Sequence, residues 1–175
     1  MKDRLKNVLS TFTCKQEGPL KEYVGRKIDL SRDENGLGKV KFTQPVLVQK
    51  LQDKFDLTGG RIPKTPAAPG QELIKSDGGN DLHGQRVKMY RSGTAICMFI
   101  MQWSRPDIHN ATRALLRHMS APTAVHEEAL RRLMKYVVAT RNCGLILSPD
   151  AIWDGSRDFK FTIHGQSDSN YATNP

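Results

Sequence analysis

Between Tyr90 and Thr140 apolar residues recur at helical spacing, and the run is interrupted at Arg105-Pro106-Asp107 and again at Pro122-Thr123. This is the feature that most constrains the fold. Proline suits the first turn of a helix, and an acid there favours the positive end of the helix dipole. The spacing therefore predicts three helices in series. Ser92 can cap the first, whose Ala95, Ile96, Met98, Phe99, Ile100 and Met101 are apolar nearly all round and predict a buried helix. The second opens at Pro106, with Ile108, Ala111, Thr112, Leu115 and Met119 as its stripe. Thr123 caps the third, where Glu127 and Glu128 suit the N-terminal end and Ala129, Leu133, Tyr136 and Val137 face inward.

The flanks read differently. Leu5, Val8, Leu9 and Phe12 give a short amphipathic helix over 2–15, broken by Gly18-Pro19. Val24, Ile28 and Leu30 share one face of a strand, and Val40 and Phe42 do the same beyond the turn-rich Ser31 to Gly36, which predicts a hairpin. Pro45 opens a helix with a Val48, Leu51, Phe55 stripe. Residues 58–88 are rich in glycine and proline, and so long a loop in a compact domain is usually functional or disordered. Leu145-Ile146-Leu147 and the alternating Phe159, Phe161, Ile163 predict strands. The fold class expected is α+β.

The chain has 175 residues and a formal net charge of +9. That balance favours a polyanionic partner, nucleic acid before an anionic membrane surface. Arg113 and Arg117 line one helical face, and Arg131, Arg132 and Lys135 another. Such faces can neutralise phosphates without reading bases; they can equally be solvated surface. Cys14, Cys97 and Cys143 are odd in number and form no C-x-x-C pair, which fits reduced thiols in an intracellular protein. The most apolar stretch, Ala95 to Trp103, is far below the ~20 residues of a membrane span, so a soluble protein with no membrane partner is expected, in a cytoplasmic particle or the nucleus. The five histidines stand without cysteines or acids at ligand spacing, so no zinc site is expected.

Short motifs carry a resemblance along nearly the whole chain. Arg131-Arg132-Leu133-Met134-Lys135-Tyr136-Val137-Val138-Ala139-Thr140 aligns without a gap on K-R-I-L-R-Y-L-K-G-T, and Pro122-Thr123-x-x-His126 precedes it as P-T-x-x-H. Ser104-Arg105-Pro106-Asp107-Ile108 matches T-R-P-D-I, Leu115 to Met119 matches L-S-R-F-M, and Tyr90-Arg91-Ser92 matches Y-R-S. Thr65-Pro66 with Pro69-Gly70 is similar to T-P-x-x-P-G, Tyr23 to Ile28 to F-L-G-I-x-I, and Phe42-Thr43-Gln44 to L-S-Q. Gly165 to Ala172 is similar to G-Y-S-D-A-D-W-A. In this order the motifs resemble the copia-type retrotransposon polyprotein, at the end of its reverse transcriptase and the start of its RNase H domain. Glu127, Asn170 and Tyr171 depart from the pattern, standing where the family has tryptophan, aspartate and tryptophan.

The resemblance implies three regions. Residues 1–44 would end the palm with a primer-grip hairpin, 45–143 would be thumb and connection helices with the loop at 58–88, and 144–175 would begin an RNase H-like fold. It implies nucleic-acid contacts at Tyr23, Val24, Gly25, Gln44, Arg113, Arg117, Arg131, Arg132 and Lys135. The partners implied are an RNA–DNA or DNA duplex, bound weakly and without sequence preference, and the remainder of the polyprotein. Asp168 alone matches the RNase H acid cluster, as a catalytic and metal-binding carboxylate. Polymerase and RNase H chemistry both need grouped carboxylates around two metal ions, magnesium in the complete parent enzyme. The sequence holds no Asp-Asp pair, so the chain by itself is expected to be inactive and to need no cofactor. Two other readings stay open: a small basic nucleic-acid-binding module, and a helical protein-interaction domain, each with a host role.

Overall fold

The computed structural model describes residues 10–11, 20–34, 36–75 and 78–149. Among them lie four helices and a four-stranded antiparallel sheet, an α+β fold. The strands are β1 (Glu22–Tyr23), β2 (Arg26–Arg32), β3 (Gly38–Thr43) and β4 (Leu145–Leu147), in spatial order β1-β2-β3-β4. The helices are α1 (Pro45–Phe55), α2 (Gln85–Trp103), α3 (His109–Leu116) and α4 (Ala124–Ala139), with a 3-10 turn at Pro106–Ile108 leading into α3. Most of the expected helix over 2–15, the strand at 159–163 and most of the region 144–175 lie outside the described residues.

The hairpin expected across Ser31 to Gly36 is preceded by another, tighter one that the sequence did not announce. Tyr23 pairs with Arg26 across a two-residue loop in which Val24 has φ 50° and Gly25 φ 70°. Two consecutive positive φ values make a type I′ connection, whose twist matches that of the strands. Glycine adopts it freely; valine, branched at Cβ, does so under strain. Val24 is therefore an exposed turn residue and shares no strand face with Ile28 and Leu30. The second hairpin closes on Asp33, whose carboxylate accepts from the Leu37 N–H at 2.8 Å and whose own N–H donates to the Leu37 carbonyl at 2.9 Å. Cross-strand pairing puts Ile28, Phe42 and Leu145 in one row and Leu30, Val40 and Leu147 in the next, all on one sheet face.

The helices alternate in direction. Arg105, just beyond α2, donates to Thr140 at the end of α4, so these two helices run side by side the same way. α1 runs against them: its start lies by Ser104, whose hydroxyl donates to the Gln44 amide oxygen at 2.7 Å, and Asp56 at its end accepts from Arg131 early in α4. α3 is likewise reversed, since Tyr90 near the start of α2 donates to the Leu115 carbonyl at its end, at 2.8 Å. The core is the shared interior. Val48 and Leu51 of α1 meet Cys97 and Ile100 of α2, Leu115 of α3 and Leu130, Leu133 and Val137 of α4. Each such side chain contributes about 1.5–3 kcal/mol of burial. Gly93 marks the closest helix approach: a Cβ there would lie 3.0 Å from Phe55, 3.1 Å from Leu130 and 3.2 Å from Met134.

Helix α2 departs from expectation in two ways. It begins at Gln85, so Ser92 lies inside it and caps nothing. It is also not buried all round, because Met98 and Phe99 remain 39% and 37% exposed. The loop before it is correspondingly shorter and is pinned down. Leu57 and Leu82 are buried, Leu82 N–H donates to the Pro122 carbonyl at 2.7 Å, and Asp81 bridges to Thr123.

Candidate nucleic-acid interface

Helix α4 carries the basic face, and its start is fixed by the Pro122-Thr123-x-x-His126 sequence. The Thr123 N–H donates to His126 Nδ1 at 2.9 Å, a capping box in which histidine takes the place usually held by glutamate or glutamine. With Nδ1 accepting, the proton is assigned to Nε2, which donates to the Ile74 carbonyl at 3.0 Å. His118 stacks on this ring with centroids 4.0 Å apart and planes 13° from parallel. The pair thus clasps the loop to both helices. Burial lowers the pKa of each ring below its ordinary value, and the neighbouring charges of Arg117 for His118 and of His118 for His126 act in the same direction.

From that start, one turn places Arg131, Arg132 and Lys135 together. They line a cavity of about 450 Å³ with Arg61, Ile62, Pro63 and Lys64 of the loop and with Glu128. Five cations (Arg61, Lys64, Arg131, Arg132, Lys135) thus face one carboxylate. Arg132 donates to the Thr65 hydroxyl at 3.0 Å, and Arg131 to the Asp56 carbonyl at 3.3 Å. Both acceptors are neutral, so these bonds aim the guanidinium groups without cancelling their charge. Lys135 Nζ sits so close to Gly60 that a Cβ there would be 2.9 Å from it. The flexible lysine could move aside, so it is the φ of +78° at Gly60 that favours glycine.

A second cavity of about 490 Å³ adjoins the first through Arg132 and joins α3 to α4, with Arg117 on its wall and Ala111, Ala114 and Ala129 among its lining. The structure therefore brings Arg117, Arg131, Arg132 and Lys135 into one basic region. Arg113 lies exposed on α3, one turn before Arg117. Arg61 and Lys64 were missed from sequence because loop residues have no periodicity to place them.

The other expected contacts lie elsewhere. Tyr23, Val24 and Gly25 form the exposed hairpin tip, near Trp103 at the far end of α2. Gln44 is only 2% exposed, and its amide oxygen accepts from Ser104, so it serves the interior and offers no surface to a phosphate. Asp168 lies outside the described residues. Among the described residues no three His, Cys, Asp or Glu side chains group so as to hold a metal ion, and no helix is long and apolar enough to cross a membrane.

A half-buried ion pair secures the far end of α4. Arg105, 2% exposed, donates through Nε and Nη2 to the Asp107 carboxylate at 2.8 and 2.7 Å, and through its other hydrogens to Thr140. The Arg105 hydrogen bond lowers the Asp107 pKa below its ordinary value. The Tyr136 hydroxyl donates to the same carboxylate at 3.2 Å.

Similarity to known proteins points one way. The chain is 27% identical over 160 residues to the retrovirus-related Pol polyprotein from transposon TNT 1-94 of Nicotiana tabacum, covering 89% of this chain and 12% of that protein. It is 26% identical over 171 residues to the retrovirus-related Pol polyprotein from transposon RE1 of Arabidopsis thaliana, covering 92% and 11%. A putative transposon Ty5-1 protein of Saccharomyces cerevisiae is 23% identical over 141 residues, covering 80% and 44%. The chain thus spans less than half the length of the curated relatives it matches, and it is similar, at low identity, to part of the retrotransposon Pol polyprotein. No protein-family profile matches the chain, and no solved structure matches it.

Proposed function

We propose that this chain is the part of a copia-type Pol polyprotein that runs from the end of the reverse transcriptase into the start of the RNase H region, and that its own work is to hold a nucleic-acid duplex. The observation that carries the reading is the basic cavity, where five cations face one carboxylate and the arginines are aimed by neutral acceptors. A polymerase thumb must grip the backbone of any sequence. It therefore needs concentrated positive charge and few base-reading groups. Arg131, Arg132 and Lys135, with Arg61 and Lys64, supply the first, and Arg117 and Arg113 extend the surface along α3. The Val24-Gly25 turn presents backbone and an aromatic side chain at the other end of the bundle, in the position the resemblance assigns to a primer grip.

Catalysis belongs to the rest of the polyprotein in this reading. Its carboxylates and magnesium would supply phosphoryl-transfer chemistry. Asp168 would be one acid of the RNase H cluster, and a single carboxylate does not hold two cations. The duplex and the remaining polyprotein are the partners.

Alanine and lysine variants test the reading. R131A/R132A is expected to weaken duplex binding equally across sequences, while R131K/R132K keeps the charge and most of the affinity. The competing reading makes both arginines ties for the 56–65 loop. It requires the alanine variant to lose thermal stability with its salt-dependent binding unaltered.

A further inference from the structure

We propose that the stacked His118–His126 pair is a latch that positions the loop half of the basic cavity and releases it as pH falls. The consequence for binding rests on the nucleic-acid reading above; the latch itself stands on the geometry of the two rings. Both nitrogens of His126 are committed, Nδ1 to the Thr123 N–H at 2.9 Å and Nε2 to the Ile74 carbonyl at 3.0 Å. His118 hydrogen-bonds the Leu73 backbone, so the pair holds two successive residues of the loop. A further proton can enter His126 only at Nδ1. The Thr123 hydroxyl, 3.1 Å away, can turn to accept it, but the Thr123 backbone N–H cannot and is left facing a second N–H. The proton also brings a positive charge to the face of His118, whose centroid is 4.0 Å away. A second proton there sets two like charges in stacking contact.

The groups around the rings leave that balance in place. Burial is the main effect that disfavours charge on both rings, and Arg117 beside His118 adds to it. Arg132 of α4 and Lys75 of the loop line the His118 cavity, and Arg91 of α2 is occupied by the Met119 and Ser120 carbonyls just beyond. On the opposing side, Asp81 favours a charged His126, and Glu72 lines the cavities of both histidines. His83 and Arg86 face the His126 cavity, with Arg86 paired to Glu127.

The loop gives before the helices do. α3 and α4 are fastened through buried Leu115, Leu130 and Leu133, whereas Ile62 and Ile74 of the loop are 66% and 76% exposed. Once released, the loop takes away Arg61, Lys64 and the Thr65 hydroxyl that aims Arg132. Pro66 and Pro69 stiffen the stretch between the latch and these residues. In the open loop each histidine regains an ordinary value of about 6.5, so at pH 5.5 each favours opening about tenfold and the pair about a hundredfold. Binding then moves against charge. Protonated histidines make the chain more positive, which by itself tightens a polyanion, while the released loop loosens it.

Nuclear magnetic resonance on the full chain between pH 7.5 and 5.5 tests the latch. The ring signals of His118 and His126 and the amides of 61–75 should titrate together, with a midpoint below about 6.5 and a steepness approaching two protons, while amides of α2 and α4 hold their positions. Over the same range, at constant ionic strength, affinity for an RNA–DNA duplex should fall and its salt slope should become shallower by up to about 2 units, the share of Arg61 and Lys64. H118Q/H126Q, which puts the usual capping-box partner at position 126, should fix the loop amides and bind no more weakly at pH 5.5 than at 7.5. Loop amides that stay in place while the rings titrate, or that move only as the helix signals collapse, would overturn the latch. Wild-type affinity that rises as pH falls would overturn its link to the cavity. Absence of duplex binding at both pH values would overturn the nucleic-acid reading, and the resonance titration would still decide the latch.

Discussion

Arg105→Ala should be among the most damaging single substitutions outside the apolar core. Its guanidinium ties the turn before α3 to the end of α4 through four hydrogen bonds, two to Asp107 and two to Thr140. Hydrogen bonds to charged groups contribute about 1.5–3 kcal/mol each, and truncating one partner of a buried ion pair costs about 3–5 kcal/mol. Here the lower end applies, because Asp107 is 41% exposed and rehydrates once Arg105 is gone. The Thr140 carbonyl also loses a donor. The net cost is therefore about 3 kcal/mol. For a chain of this size that lowers the melting temperature by roughly 6–12 °C, read by circular dichroism. Arg105→Lys should recover no more than about half, since a point charge cannot serve both oxygens of Asp107 and both acceptors on Thr140 at once. An alanine variant within about 1 kcal/mol of wild type would show that the fork does not secure these two elements.

Other expectations follow from the same geometry. His118 and His126 are 7% and 1% exposed and have lowered folded-state pKa values. The unfolded chain therefore takes up protons first: stability should be flat above about pH 7 and fall as pH drops below about 6.5, and H118Q/H126Q should flatten that limb in urea titrations. Asp107 has the opposite linkage. Its lowered pKa stabilises the fold above about pH 3.8 and that contribution disappears as pH falls through the folded value, a limb that D107N should remove. Burial pushes the Cys97 thiol up to about 12, whereas Cys143 is exposed, so a thiol reagent followed by mass spectrometry should modify Cys143 and spare Cys97 in the folded chain. Val24→Asn should stabilise the hairpin by about 1 kcal/mol by relieving the positive φ of a β-branched residue, measurable as a higher urea midpoint.

Much of the fold was legible because helical periodicity and proline punctuation agree. Pro45, Pro106 and Thr123 each open an element where expected, and Val48, Leu115, Leu133 and Val137 are buried as their spacing implied. The start of α2 was not legible. Residues 85–91 carry no N-cap side chain, and Gly84 ends the loop with a positive φ that no sequence pattern announces. The Val24 misreading has a similar cause: valine prefers strands, and the Gly25 beside it with the short β1 pulled it into a turn. At the basic region, spacing grouped Arg131, Arg132 and Lys135 correctly. It had no means of adding Arg61 and Lys64, which tertiary folding brings from a loop about seventy residues away. The Thr123–His126 box was visible as a motif without its mechanism, since histidine is an unusual partner in a capping box.

The central claim is that the basic cavity binds phosphate backbone, and the salt dependence of wild-type binding to an RNA–DNA duplex tests it most directly. If about three to five cations from the cavity and the adjoining α3 face contact phosphates, log affinity should fall linearly with log salt at a slope of roughly −3 to −4.5. R131A/R132A should flatten that slope by about 2 units. A wild-type slope shallower than about −1, or no duplex binding at low salt, would contradict the account and leave the five cations as solvated surface.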